Sequence, residues 1–182
     1  MVTVTFPNNI GMKKRSFLHH LLAERDKFEQ LLNQLSFSRL TTTAGVVGPW
    51  SVKDIVAHIM SYEQYTADRL VEVIHGETYT PAKTHAELNA FLEKFGYPDF
   101  GSPLLNHESS NTWVVEKYKN ISLEEVVAHE IQAFNAIVTD LETLSEKQLD
   151  QHHFFEHITN NTYLHYREHS RDIERWLNPE TD

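Results

Sequence analysis

Apolar side chains recur along this chain at spacings of three and four. From residue 13 to about 35 they fall at Phe17, Leu21, Phe28, Leu31 or Leu32, and Leu35, the single buried face of an amphipathic helix. Residues 36–49 then collect Ser, Thr, Gly and Pro, which compete with or interrupt helical backbone, and predict a loop. Ser51 followed by Asp54 has the spacing of a capping box, in which hydroxyl and carboxylate each satisfy an end amide. Ile55, Ile59, Tyr62, Thr66 and Val73 extend that stripe to Gly76, where a left-handed helix end carries little steric cost. The second helix is therefore expected over about 51–75.

Between residues 78 and 101 the periodicity weakens, leaving a short helix at 84–95 with Leu88, Phe91 and Leu92, and another helical piece follows at 106–120 through Trp113, Val114 and Tyr118. Ser122 and Glu125 repeat the capping signature ahead of Val126, Val127, Phe134, Ile137, Val138 and Leu141, a third long helix reaching Leu144. Asn160, Asn161 and Thr162 can each cap a last helix over about 162–177, whose stripe is Tyr163, Tyr166, Ile173, Trp176 and Leu177. The residues just before it read as a connection. With no strand pattern and no long repeat, the expectation is an all-α, up-and-down or crossed four-helix bundle with short extra helices between the second and third. One domain over 12–178 follows an N-terminal extension, residues 1–11, read as a short strand or a tail.

Length and composition fit that picture. A chain of 182 residues, 40% hydrophobic and 23% charged, has the make-up of one globular domain. The net charge of −10 repels phosphate backbones and anionic lipid surfaces, so neither nucleic acid nor membrane is an expected partner. The absence of Cys removes disulfides, thiolate-bound zinc and a protein thiol nucleophile. No stretch approaches the roughly 20 apolar residues of a membrane span, and no basic-then-apolar leader opens the chain. A cytoplasmic location is expected.

Candidate chemistry comes from histidine. His165 and His169 are four residues apart, on one face of the last helix, where two imidazoles can hold one cation. They share the stripe of Tyr166, Ile173 and Trp176, so they point inward and need either a shared ion or separate partners. His58 lies between Ile55 and Tyr62 on the second helix and can meet them across a bundle interior. A hydrogen-bonded core histidine is the competing reading of His58, and chance spacing that of the pair, since a chain with 12 His also places His153 and His157 four apart. Asp54 can orient His58 or serve only as a cap, and Trp50, Tyr62 and Tyr166 can line a pocket mouth or belong to the core.

Other familiar arrangements fail. His129-Glu130 begins a helical zinc-protease motif, but Ala133 stands where a second histidine is required. His85-Ala-Glu87 has the opening of a zinc deaminase motif without the cysteine pair. There is neither a Gly-rich phosphate loop nor a nucleophile-elbow serine.

The run Gly48-Pro-Trp50-Ser-Val-Lys-Asp54-Ile-Val-Ala-His58 together with Thr162-Tyr-Leu-His165-Tyr-Arg-Glu-His169 resembles the DinB/YfiT-like superfamily of four-helix bundle metalloproteins, in particular its ClbS-like branch, over about residues 12–177. The resemblance implies that His58, His165 and His169 are three metal-binding histidines for zinc, nickel, iron or manganese. Members of known activity include transferases and isomerases that use a low-molecular-weight thiol, and many others are named metal-dependent hydrolases. Ring hydrolysis of the ClbS type is associated with members that need not keep the triad, which this chain keeps. Homodimerisation, common in such families, is an expectation by analogy.

The sequence thus leads to a metal-dependent hydrolase or thiol transferase acting on a small electrophile. The alternative is a non-catalytic bundle that sequesters a small molecule or metal, and no residue is singled out as general base or as a cofactor-binding group other than the metal ligands.

Overall fold

The computed structural model describes residues 12–41 and 44–178, so the expected extension over residues 1–11 lies outside the described residues. Among these the chain is all-helical, with nine helices and one isolated bridge between Val47 and Trp50. Four helices are long: α1 (Met12–Asn33), α3 (Val52–Ile74), α6 (Leu123–Thr143) and α9 (Tyr163–Leu177). Shorter ones are α2 (Phe37–Thr41), α4 (His85–Phe95), α5 (His107–Tyr118), α7 (Glu146–Gln151) and α8 (Phe154–Asn161). No helix among the described residues is long and apolar enough to cross a membrane.

Of the expected caps, Ser51 with Asp54 closes as a full box, and Ser122 accepts from the Glu125 amide at 3.2 Å without a bond returned by the Glu125 side chain. The Ser51 hydroxyl accepts from the Asp54 amide at 3.3 Å while Asp54 Oδ2 accepts from the Ser51 amide at 2.8 Å, which starts α3. A second reciprocal pair, Thr84 and Glu87, starts α4, which ends at Gly96 in the left-handed region with φ 73°. Helix α3 packs along α6 and also meets α5 and α8, while α1 lies against α9. Leu18, Leu21, Ile55, Ile59, Ile137 and Ile173 are fully buried in the shared core. Burial of each is worth about 1.5–3 kcal/mol, more than the spread of about 0.7 kcal/mol in helix propensity among ordinary residues, so packing holds these helices together.

Two expectations need correction. The segment 36–49 was expected to be loop throughout, yet α2 occupies Phe37–Thr41. Likewise the stretch before the last helix contains α7, opened by a Ser145 and Gln148 box, and α8, which reaches Asn161. Only Thr162 separates α8 from α9, at φ −125° and ψ −96°, and its hydroxyl donates to the Ile158 carbonyl at 2.6 Å instead of capping α9. His153, at φ 56°, makes the left-handed turn between α7 and α8 without a glycine, a conformation that a sequence pattern tied to Gly and Pro does not signal.

A polar layer crosses the core. Arg25 on α1 grips Glu130 on α6 with both terminal nitrogens, at 2.5 Å from Nη2 to Oε2, and its Nη1 also donates to the Tyr166 hydroxyl at 3.2 Å. Tyr166 in turn donates to Glu63 on α3. Burial, and then the neighbouring Glu130, push the Glu63 carboxyl well above the usual carboxylate range.

Candidate metal centre

Of the twelve histidines in the chain, only His58 and His169 are buried, at 4% and 6% exposure; His157 and His165 are partly buried and the others exposed. Helical phase explains the selection. His58 shares the inward face of α3 with Ile55, and His165 and His169 stand one turn apart on α9 on a face that turns towards it. The three rings form a compact triangle, with centroids 4.6 Å apart for His58 and His165, 5.2 Å for His58 and His169, and 5.0 Å for His165 and His169. One ring nitrogen from each lies within 4.8 Å of the others, a grouping that could hold a metal ion.

The nitrogens facing one another are identifiable. His58 Nε2 and His165 Nε2 are 2.8 Å apart. His169 turns Nδ1 to Asp172 Oδ2 at 3.2 Å, leaving Nε2 buried without a hydrogen-bond partner. On the outer sides, His58 Nδ1 and His165 Nδ1 are buried and lack a well-formed bond. The Asn111 side chain raises His58 and the Asn161 backbone raises His165, each against the larger lowering by burial.

These positions test whether a cation fits. Without one, the 2.8 Å contact needs a proton on one of the two Nε2 atoms, which strips the Nδ1 of that neutral ring of its own proton and turns a lone pair outward. With a divalent cation in place of the shared proton, both rings carry hydrogen on Nδ1 and all three Nε2 lone pairs point inward. Tetrahedral zinc, at about 2.0–2.1 Å from each nitrogen, spaces ligands roughly 3.3 Å apart, so His58 and His165 need separate by only about half an ångström. The donor set, three imidazoles without thiolate, suits zinc, nickel or iron better than manganese, which favours oxygen ligands.

Electrostatics keeps the rings available. Burial, followed by the neighbouring His165 and His169, holds His58 well below the usual imidazole range. Burial and His169 lower His165 to about 3, and burial lowers His169 despite Asp172. Neutral imidazole is the form that ligates. The triad opens into a cavity of about 450 Å³ lined by Trp50, Tyr62, His107, Asn111, Asn161 and Glu168, with no Lys or Arg among its lining residues.

The remaining sequence candidates fall as follows. Trp50 and Tyr62 line the cavity, with Tyr62 stacked on Phe100 at 3.8 Å between centroids. Tyr166 does not; it is buried in the core, stacked on Phe28 at 5.1 Å between centroids. Asp54 is taken up by Ser51, whose amide and hydroxyl both donate to Oδ2, and the carboxylate beside a ring of the triad is Asp172, at His169. His157 lines a separate cavity of about 320 Å³ beside Arg69, and its Nε2 lies 3.3 Å from the Asn161 amide nitrogen. His153 is exposed at the turn before α8.

Sequence reasoning did not single out His107, Asn111, Asn161 or Glu168 as cavity residues. Helix α5 carries the first two one turn apart, but its position over the site depends on packing that no local pattern encodes. Spacing could have suggested Glu168 and Asp172, since both lie within four residues of a proposed ligand. No family model, curated protein or solved structure matches this chain.

Proposed function

We propose that this chain is a divalent-metal-dependent enzyme built on a DinB/YfiT-like four-helix bundle, a hydrolase or thiol S-transferase that acts on a small electrophilic molecule. The observation that carries the reading is the convergence of His58, His165 and His169, with unpartnered nitrogen at the floor of a cavity large enough for a small substrate. Three protein ligands leave coordination positions free, the arrangement of catalytic rather than structural zinc sites.

A divalent cation held there supplies Lewis-acid activation of water, of a small thiol or of a carbonyl oxygen. The protein's own part can be derived from its residues. Burial keeps the three rings neutral, the form that ligates. Asp172 accepts from His169 Nδ1 and so directs Nε2 inward. Trp50 and Tyr62 offer aromatic walls, and the carboxamides of Asn111 and Asn161 supply polar contacts to an uncharged substrate. His107 and Glu168, exposed on the cavity wall, are the groups beyond the triad and Asp172 placed to exchange protons with solvent.

The test begins with the full chain purified without an affinity tag. Elemental analysis should find one divalent ion per chain. The loaded protein is then offered epoxides, strained lactones and activated esters, each with water alone and with a low-molecular-weight thiol. Consumption that a chelator abolishes supports the enzyme. Tight binding without consumption, unchanged in His169→Ala, overturns it in favour of a sequestering protein.

A further inference from the structure

Asn161, the last residue of α8, has one end of its carboxamide tied down. Its Nδ2 donates to Thr66 Oγ1 on α3 at 3.1 Å and lies 3.3 Å from His157 Nε2, one turn back on α8. Thr66 decides which end of the carboxamide this is. The Thr66 hydroxyl hydrogen goes to the Tyr62 carbonyl at 2.8 Å, so Oγ1 offers its neighbour only lone pairs, which match N–H and repel oxygen. The second hydrogen of Nδ2 is then directed at His157, whose Nε2 accepts and whose own hydrogen sits on Nδ1.

The free end is Oδ1. Among the described residues it accepts no hydrogen bond from the protein, yet it is not one of the buried side-chain atoms left without a partner, so it is open to solvent. Asn161 lines the cavity of the metal centre and not the neighbouring one beside Arg69. The anchor itself is rigid: Thr66 is fully buried, one turn beyond Tyr62, and the Tyr62 ring meets His165 edge-on at 5.1 Å between centroids. Glu168 and Asp172, the charged residues of the lining, are also acceptors, and no Lys or Arg is present. This wall matches a ligand that brings hydrogen-bond donors.

We propose that Asn161 is a specificity-determining residue: its Oδ1, aimed into the cavity by the bonds that hold Nδ2, accepts from a hydroxyl or N–H carried beside the electrophilic carbon of the substrate. The inference rests on the metal-centre reading above and narrows its substrate class to small uncharged electrophiles with a donor next to the reacting group. Analogues in which that donor is alkylated leave Oδ1 without a partner and are bound less well.

Titration calorimetry on the zinc-loaded full chain with two chelating probes tests the proposal. Glycolohydroxamate and methoxyacetohydroxamate bind zinc through the same pair of oxygens and differ in whether the adjacent oxygen carries hydrogen or methyl. Wild type should prefer the hydroxyl probe by about 10-fold, the upper range for a neutral hydrogen bond. Asn161→Leu removes the acceptor, and Thr66→Val, outside the cavity lining, only releases the carboxamide; each should bring the two probes to within about 2-fold of one another, with zinc content and helical content as in wild type. Equal affinities in wild type, a preference for the methoxy probe, a preference that survives in Asn161→Leu or Thr66→Val, or zinc-loaded protein that binds neither probe overturns this inference and leaves the metal centre standing. Wild type that takes up no divalent ion overturns both.

Discussion

His58 Nε2 and His165 Nε2 lie 2.8 Å apart although 107 positions separate them in the chain. Two neutral imidazoles at that distance share one proton, and a third ring, His169, adds a nitrogen that has no partner at all. That arrangement is costly to bury in apolar surroundings unless something satisfies it.

Replacing any one ring should therefore abolish tight metal binding. His58→Ala, His165→Ala and His169→Ala are each expected to lower zinc affinity by at least about 100-fold, beyond the 10–100-fold typical of losing a supporting partner. Elemental analysis after dialysis against weak chelator reads the loss. Full retention in any of the three would remove that residue from the site.

Asp172→Asn should give an intermediate result. The carboxylate at 3.2 Å from His169 Nδ1 is replaced by a weaker acceptor, so affinity should fall about 10-fold to 100-fold with the helical content unchanged by circular dichroism. An unaltered affinity would make the contact incidental.

The pH dependence follows from the lowered imidazoles. In the unfolded chain each ring takes a proton near 6.5, whereas the folded rings resist it, His165 down to about 3. Over that interval the unfolded state holds more protons, so the metal-free protein loses stability as pH falls from 6.5 towards 3 and gains it as pH rises. The same shift keeps the lone pairs free for an ion below pH 6, where exposed histidines would already be charged. Zinc content measured across a dialysis series should accordingly drop at a midpoint below 6; a midpoint at or above 6.5 would contradict the burial argument.

Glu63 has the opposite sign. Its carboxyl is pushed upward by burial and Glu130, so the folded state keeps a proton that the unfolded state releases above about 4.3. Stability from this group is present at low pH and declines as pH rises through the folded value. Glu63→Gln, which mimics the protonated acid, should flatten that decline, and melting temperatures compared at pH 5 and pH 9 would show it. A wild type and variant that fall in parallel would mean Glu63 is ionised throughout.

Glu130→Ala addresses the same layer differently. It leaves the Arg25 guanidinium buried at 5% exposure without its bidentate partner, a loss of about 3–5 kcal/mol for a broken buried pair. Denaturant unfolding measures it, and a cost under about 1 kcal/mol would show that water or Glu63 takes over.

The helix boundaries were largely legible because periodicity and caps are local. Ser51 with Asp54 and Ser122 with Glu125 mark helix starts through bonds that span three residues. The segments misread, Phe37–Thr41 and the run through α7 and α8, are helices of five, six and eight residues, too short for a three-and-four stripe to repeat. The join at Thr162 escaped for a related reason: Asn160, Asn161 and Thr162 carry capping side chains, but α8 continues through the first two, and Thr162 bonds backwards.

The sequence by itself determined an all-helical chain and the inward phase of His58, His165 and His169, since a 3.6-residue period decides which side chains share a face. Only the tertiary structure decided which helices meet, that Asp172 rather than Asp54 backs a ring of the triad, that Tyr166 belongs to the Arg25 layer, and that α5 brings His107 and Asn111 to the cavity. Those relations depend on the angle and depth at which helices pack, set by summed contacts along whole faces, and no single residue or spacing carries that information.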